Sequence, residues 1–212
     1  STQAQTYFAE EAFEIPVAEG VQPVEGVPTL AEVTLATVDL NELDEARRQG
    51  ILTLRRAGML ASICAQAKSL AVAGTHGKTT TTSMLMLILA EAGWRPSFVI
   101  GGDVTDMGTG AQWTASDWFV VEADESDGTH LELPLHGTIL TNIETDHLDH
   151  YGSIEAIEAG FDRYLAQIAG PKVVCADDQR ASRLAARHGA LTYGTSADAT
   201  VRDAASRSLR LP

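Results

Sequence analysis

Basic residues are scarce in this chain. Fifteen lysines and arginines stand against 29 aspartates and glutamates, and the 212 residues carry a formal charge of −14. Such a surface repels a phosphate backbone, which argues against sequence-independent binding of nucleic acid. Cysteine is scarcer still. Cys64 and Cys175 lie far apart in apolar contexts, so a disulfide scaffold is excluded and buried free thiols in a cytoplasmic protein are expected. No apolar run reaches the length of about 18 residues needed to cross a bilayer, and no basic-then-apolar leader opens the chain; membrane spanning and secretion are therefore not expected. Internal repeats and low-complexity segments are also missing. What is present is ordinary globular material, 44% hydrophobic and 21% charged, enough for one sizeable core or one domain with part of another.

Residues 1–35 are acidic, weakly periodic and interrupted by Pro16, Pro23 and Pro28, which predicts short extended pieces. A helical pattern from Asn41 to Gly50, a short strand over Ile51–Leu54 and a helix over Arg55–Lys68 follow. From Ser69 onward short apolar runs recur at Leu70–Ala73, Phe98–Ile100, Trp118–Val121, Thr138–Leu140, Val173–Ala176 and Leu191–Tyr193. Helical patterns separate several of them, at Thr79–Ala92, Ser153–Ile168 and Asp178–His188. Continuous Val/Ile/Leu strands are buried on both faces, so the expected fold class is α/β, a mostly parallel sheet with helices on both faces. Ligands in such sheets bind beyond the carboxyl ends of the strands. Val201 to Pro212 carries no clear closing element.

The richest stretch is Ala71-Val-Ala-Gly-Thr-His-Gly-Lys-Thr-Thr-Thr-Thr82. An apolar run leads into a glycine turn, then Lys78-Thr79, then the strong helix former Ser83-Met-Leu-Met-Leu-Ile-Leu-Ala-Glu-Ala92, with Gly93 placed to cap its end. That order builds a phosphate cradle. Backbone N–H groups of the turn and helix N-terminus face the phosphates, the lysine reaches their outer oxygens, and the threonine hydroxyl holds Mg²⁺. The candidate nucleotide-binding residues are Gly74, Thr75, His76, Gly77, Lys78, Thr79 and Thr80. The spacing departs from the standard P-loop: its first glycine would fall at Val72, and the turn here is shorter. The competing reading is an ordinary glycine turn between core elements, which leaves Lys78 beside four threonines without a purpose.

Two further motifs follow predicted strands. Glu122-Ala-Asp-Glu-Ser-Asp127 packs four carboxylates into six residues, a costly crowding unless a cation or solvent compensates. Beside a P-loop, a strand-end carboxylate is placed to hold magnesium, and Glu122 is the candidate; a solvated acidic loop is the alternative. Thr141-Asn-Ile-Glu-Thr-Asp-His-Leu-Asp-His-Tyr151 brings together Asp146, His147, Asp149 and His150. It could complete a second Mg²⁺ site, form a metallohydrolase centre, or be a surface turn before a helix capped by Ser153. His130 and His136 lack partners at ligand spacing and are expected to be structural or surface residues.

Taken in order, Ala73 to Thr82, Glu122 to Asp127 and Thr141 to Asp149 resemble the central ATP-binding domain of the Mur ligases, which build peptidoglycan precursors. The likeness runs from about residue 36 to about 205. It implies amide formation driven by ATP: a substrate carboxylate attacks the γ-phosphate, and an amine then displaces phosphate from the acyl phosphate. By this resemblance the catalytic residues are Lys78, Glu122 and His147, with Thr79 and Glu122 on one Mg²⁺ and His147 on a second. Asp124, Ser126 and Asn142 are weaker candidates for the substrate side. His76, where later ligases of the pathway usually carry asparagine, resembles the alanine-adding branch, whose substrates are UDP-N-acetylmuramate and L-alanine. The tripeptide-recycling ligase shares that histidine, but Glu125-Ser-Asp127 and Thr141-Asn142 are more similar to the alanine-adding enzymes. Glu158-Ala-Gly-Phe-Asp-Arg163 has no lysine where many of the family carry a carbamylated one, which fits the same branch. The resemblance implies residues 1–54 as an irregular segment with a remnant of the N-terminal UDP-binding domain, and residues 55–212 as the central domain, incomplete at its C-terminal end. Lacking the flanking domains, the chain alone is expected to be inactive, or to serve as a partner-dependent or non-catalytic ATP-binding module, with another chain as the possible source of the missing domains.

Overall fold

The computed structural model describes residues 48–49, 56–104, 108–126, 128–146 and 151–202. The chain divides into two units, Ser1–Arg55 and Arg56–Pro212, and all described residues but 48–49 belong to the second. The expected pieces over 1–35, the strand at Ile51–Leu54 and nearly all of the Asn41–Gly50 helix lie outside the described residues.

Helix α1 (Arg56–Cys64) leads into β1 (Lys68–Ala73), α2 (Lys78–Glu91), β2 (Ser97–Val104), β3 (Thr109–Gln112), β4 (Trp118–Glu122), a 3₁₀ turn (Thr129–Leu131), β5 (Gly137–Leu140), α3 (Ile154–Gln167), β6 (Lys172–Cys175), α4 (Gln179–His188), β7 (Leu191–Gly194) and β8 (Val201–Arg202). The eight strands form one sheet in the order β3-β2-β4-β1-β5-β6-β7-β8. All pairs are parallel except β2 with β3, so the expected α/β class is what the chain adopts. The helix expected over Arg55–Lys68 is shorter than its apolar pattern: it ends at Cys64, and Lys68 already opens β1.

Helix ends follow from local chemistry. The Ser153 hydroxyl accepts the Ala156 N–H at 3.2 Å and starts α3, and the Asp178 carboxylate accepts the Ala181 N–H at 2.7 Å and starts α4; each satisfies an amide that the helix itself cannot. Gly93 takes a left-handed φ of 83° just past α2, and the Trp94 N–H returns to the Leu89 carbonyl at 3.0 Å, a glycine stop of the expected kind.

Strand side chains alternate between two cores. Val120 joins Phe98, Ile100 and Met86 beneath α2. Phe119 and Val121, on the opposite face, pack with Ala71, Ala73, Leu140, Ile157, Phe161 and Leu184 beneath α1, α3 and α4. Burial on both faces explains why these strands read as unbroken apolar runs. Cys64 is a buried free thiol, pushed up to about 11 by burial, and Cys175 is free and half-buried. His130 is buried against Phe161 and Tyr164, while His136 meets the Trp118 ring edge-on. The groove between α3 and α4 is bridged by ion pairs from Arg180 and Arg183 to Glu158 and from Arg187 to Asp162, which tie the helices together.

Candidate functional site

The register of the central strands decides where the motifs meet. Val72 pairs with Glu122 and Ala73 with Leu140, so β1, β4 and β5 end side by side and discharge their three loops at one edge. From β1 the chain crosses α2 to one side of the sheet, whereas β5, β6 and β7 step away to the other. This is a point where strand order switches direction, the usual place for a ligand crevice in an open parallel sheet.

The loop Gly74–Gly77 is built against β5's loop. Gly74 has φ 125°, and a Cβ there would collide with the Thr141 hydroxyl and come within 2.9 Å of the Asn142 carbonyl; only glycine allows that approach. The Thr141 hydroxyl donates toward the Ala73 and His76 carbonyls at 3.1 and 2.8 Å. The Asn142 side chain accepts the His76 N–H and donates to the His76 carbonyl, both at 2.9 Å. Thr75 donates its N–H to the Asn142 carbonyl at 3.1 Å and accepts the Glu144 N–H on its hydroxyl at 2.9 Å. Asn142, expected on the substrate side, thus has its amide engaged in bracing the loop. His76 itself is exposed, its Nε2 3.7 Å from the Glu144 carboxylate.

Gly77, with φ 81°, is the N-cap of α2 and offers no side-chain acceptor, which leaves first-turn N–H groups of the helix for an outside acceptor. Thr79 and Thr80 are exposed there. The Thr79 hydroxyl donates to Glu122 Oε2 at 3.2 Å, and Glu122 Oε1 accepts the Gly101 N–H at 2.8 Å. β2 therefore orients the carboxylate that the sequence assigns to metal. Asp124 accepts the Ser126 N–H at 3.0 Å and lies 3.9 Å from Arg56. Both remain half-buried on the loop after β4. His147, Asp149 and His150 lie outside the described residues, and Asp146 is half-buried beside them. Among the described residues no three His, Cys, Asp or Glu side chains converge as a metal cluster.

The residue that sequence reasoning passed over is Glu125. Its carboxylate meets the Lys78 ammonium at 2.9 and 3.0 Å, with the two side chains only 3% and 16% exposed. Burial pushes the Glu125 carboxyl up from its usual range, and the Lys78 ammonium acts in the opposite sense. The motif held Glu125 among four carboxylates, but nothing in a sequence separation of 47 residues says which of them faces the lysine.

A profile of the Mur ligase middle domain matches residues 72–210 of this chain. The chain belongs to the Mur ligase family. It is 43% identical over 209 residues to the UDP-N-acetylmuramate–L-alanine ligase of Acidothermus cellulolyticus, covering 94% of this chain and 44% of that relative. The chain therefore spans less than half the length of this curated relative. Among solved structures, the UDP-N-acetylmuramate–alanine ligase of Thermotoga maritima superposes with a TM-score of 0.64 at 27% identity, over 72% of this chain and 35% of that one. The UDP-N-acetylmuramate:L-alanyl-γ-D-glutamyl-meso-diaminopimelate ligase of Neisseria meningitides gives 0.64 at 26%, over 76% and 56%. For this Mur ligase domain, the braced loop and the Lys78, Thr79 and Glu122 constellation are the candidate centre.

Proposed function

We propose that this Mur ligase domain, residues 55–212, binds ATP for a ligase that joins L-alanine to UDP-N-acetylmuramate, with residues 1–54 as part of the UDP-binding region. One observation carries the reading: Lys78 and the Thr79–Glu122 pair stand together where β1 and β4 end, on a chain 43% identical to a ligase named for that reaction. In such a reaction the muramate carboxylate attacks the γ-phosphorus and the bond to the bridging oxygen of ADP breaks. The L-alanine amine then attacks the acyl phosphate, releases inorganic phosphate and loses a proton. Lys78 is the group available to neutralise charge on the β- and γ-phosphates, and the loop amides and α2 N-terminus are placed to hold them.

Thr79 and Glu122 fit Mg²⁺. A hydroxyl and a carboxylate 3.2 Å apart are hard oxygen donors, and two protein donors suffice for an ion that keeps waters and takes phosphate oxygens as its other ligands. Mg²⁺ held there by Thr79 and Glu122 would supply charge neutralisation for phosphoryl transfer. His147 is proposed to hold a second ion, and Asp124 and Ser126 to line the substrate side. A cytoplasmic setting belongs to this reading, since ATP is at hand there and Cys64 is a free thiol. The tripeptide-joining reaction is the weaker reading, because the relative at 43% identity is named for the L-alanine reaction, whereas the solved structures, at 26% and 27%, do not separate the two.

Calorimetric titration of the chain with ATP, with and without Mg²⁺ and beside Lys78→Ala, tests this reading. Mg²⁺-dependent binding that disappears in Lys78→Ala is expected. A folded wild-type chain that takes up no nucleotide would refute the phosphate site.

A further inference from the structure

An ammonium has three protons to donate. In this structure the Lys78 ammonium is surrounded by the Gly74 carbonyl at 2.8 Å, the Thr75 carbonyl at 3.3 Å and both Glu125 oxygens at 2.9 and 3.0 Å. Two neutral carbonyls and one bidentate carboxylate account for all three protons, so none is left over for a phosphate oxygen. The lysine that the cradle needs is turned inward, onto its own loop and a buried acid.

We propose that Glu125 is a latch on the phosphate-binding lysine: it holds Lys78 folded back in the free protein, and nucleotide phosphates must displace its carboxylate to take the ammonium. This deepens, and rests on, the reading of the cradle as a phosphate site. The latch side of the pair is the fixed one. The Glu125 carbonyl accepts the Tyr151 hydroxyl at 2.7 Å and, within its own turn, the Gly128 N–H at 3.1 Å, so its backbone is held by a local turn and by one distant residue. Lys78 has a flexible stem and is the partner that moves. Asp124, the neighbouring acid, faces Arg56 and does not take over the ammonium. A negative charge kept beside the lysine lowers the cradle's attraction for phosphate until it is displaced. Glu125 is thus a positioning residue that sets nucleotide affinity by competition, and its removal strengthens rather than weakens binding.

The chain has only three lysines, Lys68, Lys78 and Lys172, so acylation at each can be followed by mass spectrometry with the full chain. Acylation needs free approach to the amine, and the Lys78 nitrogen is enclosed by the Gly74 and Thr75 carbonyls and the Glu125 carboxylate. Without nucleotide, Lys78 should react slowly in the wild type and about tenfold faster in Glu125→Gln, the scale of releasing one charge-assisted hydrogen-bonded contact, with Lys68 and Lys172 unchanged as internal references. Glu125→Asp, which withdraws the carboxylate by one methylene, should fall between the two and covers the case in which the glutamine variant does not fold. Calorimetry with Mg·ADP should give Glu125→Gln a Kd lower by about tenfold. Unchanged Lys78 reactivity in both variants, or weaker Mg·ADP binding by Glu125→Gln, overturns the latch. A wild-type chain that binds no Mg·ADP overturns the phosphate reading and the displacement with it; the acylation rates tell that failure apart from a failure of the latch.

Discussion

Lys78 and Glu125 are worth more as a pair than either is alone. Cutting Lys78 to alanine leaves a carboxylate that is only 3% exposed without its cation, and breaking a buried pair from one side costs about 3 kcal/mol. Lys78→Ala should therefore lower unfolding stability by about that much in urea denaturation at neutral pH, and the double variant Lys78→Ala/Glu125→Gln should recover most of it. The loss should shrink on acidification. Burial already raises the Glu125 carboxyl above its unfolded value; a folded state that binds the extra proton gains stability as pH falls through that raised value. Lys78 could be singled out in the sequence, because glycine, lysine and threonine in that order suggest a phosphate loop. Glu125 could not, because Glu122, Asp124, Glu125 and Asp127 are chemically alike on paper. Tertiary packing alone turned Glu122 toward Thr79 and Glu125 toward Lys78.

Among the elements, α3 and α4 carry their own pH dependence. Asp162 accepts hydrogen bonds from His188 at 2.7 Å and Arg187 at 2.8 Å across the helix pair. These hold its carboxyl below the usual aspartate range, the His188 bond first. A depressed folded-state value gives a stabilisation that is present above the unfolded aspartate value, near pH 4, and is lost as pH falls through the lower folded one. Melting curves should show the wild type above Asp162→Asn at about pH 6 and the two converging at about pH 3. Both helices were readable in advance because Ser153 and Asp178 are capping residues followed by apolar periodicity. β3 was not, since Thr-Gly-Ala-Gln carries no apolar run and becomes a strand only by pairing antiparallel with β2 at the sheet edge. β8 is two exposed residues added to β7, too short to leave a pattern where Val201 to Pro212 showed no closing element. Within α2, Met84-Leu-Met-Leu-Ile-Leu89 is apolar all round. The sheet decided that Met86 is buried, while Ile88 stays 65% exposed.

At the scale of the whole molecule, the charge of −14 would repel an anionic nucleotide until the proposed cradle came within reach. Screening should relieve that repulsion, because the Debye length falls from about 30 Å at 0.01 M to about 10 Å at 0.1 M salt. Stopped-flow measurement should show the association rate of Mg·ATP rising over that range; a falling rate would mean that the cradle's local positive field outweighs the net charge. By itself the sequence determined the class of fold and the apolar core strands in their order along the chain, and it supplied the glycine, lysine and threonine pattern on which the phosphate-loop reading rests. Those follow from periodicity, capping residues and glycine chemistry, all of which act over a few neighbours. Only the tertiary structure decided that β1 lies between β4 and β5, that Thr141 and Asn142 brace Gly74–Gly77, and that the cradle's lysine rests on Glu125. Those contacts join residues 47 to 68 positions apart, and they are selected by which strand edges pair and which faces are buried, a choice that the folded chain makes as a whole.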